Sequence, residues 1–100
     1  MPRPQAIPTV QLDDAFVKVT EWRFPPGAET GWHMHGMRYV VVPQTTGALL
    51  LETPDGPVES QLTSGVSYTR PVGVCHNVVN PAETEFVFVE IELKATQPAG

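Results

Sequence analysis

Apolar side chains along this chain recur at every second position in short runs, and the runs are separated by clusters of proline, glycine, asparagine and aspartate. A period of two belongs to the β-strand, whose successive side chains point to opposite faces. No stretch holds the 3.6-residue apolar period of a helix. The pattern predicts nine strands, over 9–12, 16–24, 30–35, 38–42, 48–53, 58–62, 66–70, 76–80 and 85–93. Turns fall at Pro25-Pro26-Gly27, 44–47, 53–56, Ser64-Gly65 and 80–83, all of them rich in residues that preset or tolerate turn dihedrals. Many short strands at such spacing make an all-β sandwich or barrel.

Two strands are apolar on both faces. In the last, Phe86, Phe88, Glu90 and Glu92 alternate with Val87, Val89, Ile91 and Leu93; in the second, Val17 and Val19 oppose Phe16, Trp22 and Phe24. A small barrel fills only its interior, so an apolar outer face calls for another layer. The expectation is a homodimer that pairs outer sheet faces. Glu90, in step with Phe86 and Phe88, is in most settings an exposed carboxylate, unless it reaches the cavity.

At 100 residues the chain makes a single domain, 1–100, with one core. Its ends, about 1–7 and 95–100, are expected to be loosely held unless a partner orders them. The net charge of -5 and the lack of a basic cluster exclude nucleic acid as a partner. No apolar run approaches membrane-spanning length and no leader pattern is visible, so a cytoplasmic protein without a membrane partner is expected. The single cysteine, Cys75, has no partner for an internal disulfide.

The candidate chemistry lies in the histidines, of which there are three: His33, His35 and His76. On a strand the His33-Met34-His35 spacing aims both imidazoles at one spot, and a third from a distant strand can close a facial triad. Neutral imidazole suits zinc, copper, iron and nickel, and three ring nitrogens leave positions open for water or substrate. Steps of two from His33 through His35 and Met37 bring Tyr39 onto the same face, unless a bulge at Gly36 moves Val40 there. Tyr39 is thus a candidate ligand, substrate donor or wall. Arg38 is a candidate for binding a substrate carboxylate, and Tyr68 and Arg70 share a face leading into Pro71, where one of them is a candidate for the mouth of the cavity, packing and surface roles being the commoner ones. Cys75 points away from His76, and Trp32 and Met34 are expected to pack in the core or a dimer contact. No nucleophile with an adjacent base and no phosphate-cradling loop is present.

Two phrases together resemble the paired motifs of the cupin superfamily. Gly27, His33, His35 and Gly47 match the first; Gly65, Pro71, Gly73, His76 and Asn80 match the second throughout. The resemblance spans nearly the whole chain and implies a cupin-type jelly-roll β-barrel whose three histidines bind a divalent metal ion (Fe, Mn, Ni, Cu or Zn) beside a small-molecule substrate. The first-motif glutamate, a metal ligand in that superfamily, is missing, and Tyr39 or Val40 stands in its place. Three-histidine iron sites occur among cupin dioxygenases, so dioxygenase, isomerase and lyase chemistry are all implied, as is a non-catalytic metabolite-binding or sensing module. Trp22-Arg-Phe-Pro-Pro-Gly27, Tyr39-Val-Val-Val-Pro43 and Phe86-Val-Phe-Val-Glu-Ile-Glu92 are also similar to short bacterial cupins of β-alanine degradation.

Overall fold

The computed structural model describes residues 2–94. Nine strands fill it: β1 (Ile7–Asp13), β2 (Val17–Phe24), β3 (His33–Met34), β4 (Arg38–Pro43), β5 (Gly47–Thr53), β6 (Gly56–Leu62), β7 (Tyr68–Arg70), β8 (Cys75–Val79) and β9 (Phe86–Leu93). Every strand expected from the alternation is found, and no other element lies among the described residues. The largest difference is in the third. Only His33 and Met34 form a ladder there, because Pro25–Gly31 and Gly36–Met37 bend around the site while Thr30 keeps a single backbone bond to Val78.

Two antiparallel sheets face each other, one ordered β1-β2-β9-β4-β7 and the other β3-β8-β5-β6. Apart from the consecutive pairs β1-β2 and β5-β6, neighbouring strands in each sheet are far apart in sequence, which is the jelly-roll arrangement. The inner faces interdigitate Phe24, Phe86, Phe88, Val41, Leu49, Leu51, Leu62 and Val78, all nearly excluded from water. Burial of one such side chain stabilises the fold by about 1.5–3 kcal/mol. The aromatic end, where Phe24 and Phe88 lie 5.4 Å apart, closes the barrel. Polar residues accumulate toward the other end.

The N-terminal segment makes specific contacts with the barrel. Ala6 is 6% exposed and its amide donates to the Glu29 carbonyl, while Gln5 and Glu29 form a parallel bridge that continues, through Glu29 and Val79, onto β8. Arg3 pairs with both Glu29 and Glu52. Short apolar positions and an arginine aimed at two carboxylates fasten this segment, features that a proline-rich sequence conceals. The expectation for 95–100, and for Met1, lies outside the described residues. Trp32 and Met34 are 56% and 71% exposed rather than in the core. They flank His33 on the outer face of a two-residue strand at the edge of its sheet, where no neighbouring element covers them.

Candidate metal centre

β3 and β8 run antiparallel with His33 opposite His76, so both imidazoles leave the same face of the sheet at one level. His35 follows two residues on, and its backbone is pinned by its own amide to the Val74 carbonyl and by the Gly73 amide to its carbonyl. Gly73 supplies this tight turn with φ +94°, a conformation that a side chain disfavours. The three rings converge edge to face. Nε2 of His35 lies 3.0 Å from Nε2 of His33 and 3.1 Å from Nε2 of His76.

Protons alone do not satisfy those contacts. Nδ1 of His33 is 2.8 Å from the Gly31 carbonyl, which only accepts, so that nitrogen carries the proton and Nε2 of a neutral His33 is bare. The single site on His35 Nε2 either donates or accepts once. Two good hydrogen bonds to it are therefore excluded, whereas one cation between the rings satisfies all three nitrogens. Metal–nitrogen bonds of about 2.0–2.1 Å put neighbouring ligand atoms roughly 3 Å apart when they meet at right angles, which is the spacing present. The donor set fits a divalent transition metal.

Burial holds the triad in its ligating form. Desolvation, reinforced by the His33 ring and by Arg70, lowers His35 to about 4. The same causes, with His35 added, lower His76 to about 3. Both imidazoles are thus neutral at ordinary pH and ready to bind metal. His33 is oriented through its own loop: the Gly31 amide donates to Oδ1 of the buried Asn77, whose Nδ2 donates to Glu29 and Glu52. Nδ1 of His76 is buried with no hydrogen-bond partner among the described residues.

Tyr39, and not Val40, takes the place of the missing glutamate. Its ring is 2% exposed and stacks on His35 with centroids 3.9 Å apart. Burial pushes its phenol well above the ordinary value, which favours the protonated, hydrogen-bond-donating form. Its hydroxyl has no partner among the described residues. Arg38 falls elsewhere: one position before Tyr39, it projects from the opposite, exposed face and bonds Thr69. The strand alternation that turns Tyr39 inward turns Arg38 outward. Met37 is half-buried and Cys75 exposed, and neither lines the cavity. Asn80, wholly buried, holds the turn before β9 through Phe24, Thr84 and Ala82.

The triad opens into a cavity of about 280 Å³ between the sheets. Several polar side chains contribute to its lining. Glu90 is 8% exposed rather than solvated, and burial together with repulsion from Glu92 pushes it up to about 7. The indole N–H of Trp22 faces it without closing a hydrogen bond to any described residue and offsets part of the rise. Arg70 and Tyr68 line the opposite flank, with the guanidinium carbon 5.6 Å from the Tyr68 ring centre. Glu90 and Glu92 each place a carboxylate oxygen within 4.8 Å of a His35 ring nitrogen, and the histidine triad meets the same limit, but the two clusters share only His35. The period-two pattern of β9 and β7 contains these positions; only closure of the barrel shows that this face looks inward.

A jelly-roll barrel with a histidine triad at one end of its cavity defines a cupin, and the chain belongs to the cupin superfamily. Its fold superimposes on a cupin domain from Bordetella pertussis Tohama I with a TM-score of 0.94 and 77% identity, covering 95% of this chain and 99% of that one. In sequence it is 62% identical over 92 residues to the β-alanine degradation protein BauB of Pseudomonas aeruginosa, covering 92% of this chain and 97% of that protein. A double-stranded β-helix protein from Klebsiella pneumoniae shares the fold at a TM-score of 0.74 and 22% identity, covering 89% of this chain and 76% of that one. No protein-family model matches the chain.

Proposed function

We propose that this cupin holds one divalent transition-metal ion on His33, His35 and His76 and uses it to act on a small polar or anionic metabolite. The observation that carries the reading is the meeting of three Nε2 atoms at 3.0 and 3.1 Å, which hydrogen bonding among the rings leaves unsatisfied. When bound, such an ion supplies Lewis-acid polarisation or, if redox-active, oxygen chemistry. The chain's own residues bind and orient the substrate. Tyr39 buttresses His35 and offers its free hydroxyl to a substrate oxygen. Leu49, Leu51, Val78 and Phe88 exclude water, and Glu90, with its raised pKa, can take up or release a proton near pH 7. Similarity to a protein named for β-alanine degradation supports a small polar metabolite.

A second reading is a metabolite-binding or sensing cupin without turnover. It is favoured by Tyr39 in the place of a ligating carboxylate. Elemental analysis after purification without chelator, followed by oxygen uptake with small diketones, thiols and amino acids, separates the readings. We expect near one equivalent of metal, lost in His76→Ala with the fold retained. No metal after incubation with iron, manganese or zinc sinks the metal reading, and bound metal without turnover across the panel leaves the sensor.

A further inference from the structure

The cavity is divided by charge. On the inner face of the larger sheet, Glu92 of β9, Tyr39 of β4 and Arg70 of β7 stand in one row across three neighbouring strands. In the next row Glu90 stands opposite Val41, which stands opposite Tyr68. Strands about 4.8 Å apart therefore put the carboxylate strand and the guanidinium strand roughly 10 Å from each other, with the Tyr39 ring between them. All of these side chains line the cavity. Among the described residues neither Arg70, Glu90 nor Glu92 forms an ion pair, although Lys18 of β2 stands opposite Glu92, and apart from the hydroxyls of Thr30 and Ser60 the rest of the cavity lining is apolar, aromatic or histidine.

Partly buried charges of opposite sign, separated rather than joined, are costly unless a ligand completes them. Glu90 is more than nine-tenths buried, and its elevated pKa is the signature of that cost. The unpartnered Tyr39 hydroxyl lies in the same row, between the two poles. We propose that the cavity selects a short zwitterion, its carboxylate directed to Arg70 and its ammonium to Glu90 and Glu92, with the chain between the two groups lying over Tyr39 beside the histidine triad. The guanidinium fork suits a carboxylate, and two carboxylates converging from alternate positions of one strand suit an ammonium. A cavity of about 280 Å³ limits the ligand to a few heavy atoms beyond these groups. The inference deepens the metal-dependent reading of the same site and rests on it for the placement of the ligand beside the triad.

Calorimetric titration of the metal-loaded protein with 3-aminopropanoate, propanoate and propylamine tests it, with metal content measured on every sample. The zwitterion is expected to bind at least tenfold more tightly than either half-molecule. Arg70→Gln is expected to remove its advantage over propylamine, and Glu92→Gln its advantage over propanoate, with metal content unchanged. Repeating the series with glycine and 4-aminobutanoate sets the preferred separation of the groups. Equal binding of propanoate and 3-aminopropanoate, an unchanged ratio in Glu92→Gln, or no binding by any of the amino acids overturns the proposal. Because the charged flanks belong to the protein itself, a sample that takes up no metal yet keeps the tenfold preference sinks only the metal reading.

Discussion

At the scale of the residue, Glu90 shows what a binding cavity costs. Its folded-state pKa, about 7, lies above the ordinary 4.5, so the fold favours the protonated acid. That contribution is fully present below about pH 4.5 and is lost as pH rises through 7, where the buried carboxylate must stay ionised. Glu90→Gln keeps the shape and removes the charge. Thermal unfolding of the metal-free protein is expected to show the variant more stable at pH 8, by as much as roughly 3 kcal/mol at 1.36 kcal/mol per pKa unit. The gain should vanish near pH 4.5. A variant equally or less stable at pH 8 contradicts the buried, unpaired state of this carboxylate. Such a residue, kept against stability, is expected where function needs it.

Among the elements, β3 is too short to orient His33 by itself, and the loop before it does the rest. Gly31, at φ +89°, turns its carbonyl to the His33 ring and its amide to Asn77. Asn77 sits on β8 beside His76 but points away from the cavity, and it ties this loop to Glu29 on one side and Glu52 of β5 on the other. Arg3 closes the network from the N-terminal segment. Asn77→Ala leaves Arg3 as the bridge between the two carboxylates and frees the loop. Metal affinity is expected to fall about 10–100-fold, as for other groups that orient a metal ligand. Competition with a chelating indicator measures this, while circular dichroism checks that the sheet persists. Unchanged affinity would show that β3 alone fixes the ring.

For the whole molecule, the larger sheet turns an aliphatic surface outward. Val19 and Ile91 are opposite each other, as are Ile91 and Val40, and Val89 and Val42. The edge strand β1 is exposed along its whole length and contributes Ile7 and Leu12, with Phe16 at 74% exposure just beyond it. A run of this kind at an open sheet edge suits a second copy of the chain. The expected state is a homodimer at micromolar concentration, measured by light scattering, and Ile91→Glu is expected to shift it to monomer without loss of the strand signal. A monomer throughout the range would leave this face solvated.

How much was legible depended on range. All nine strands follow from period-two alternation, because strand alternation is a local property and a glycine or proline at a turn acts on its own residue; the jelly-roll fold and the three-histidine metal set came from the resemblance of two motifs to the cupin pair. The same alternation carries Tyr39 inward and Arg38 outward, although it left Val40 open until the backbone between Gly36 and Arg38 was known. Burial of Glu90, the position of Arg70 in the cavity wall, the contacts of residues 2–7 and the solvent exposure of Trp32 and Met34 were decided by tertiary structure alone. Each depends on which strands become neighbours, and strands such as β2, β9, β4 and β7 meet across dozens of residues of chain. Local pattern tells a side chain its face; only closure of the two sheets tells that face whether it meets water, core or cavity.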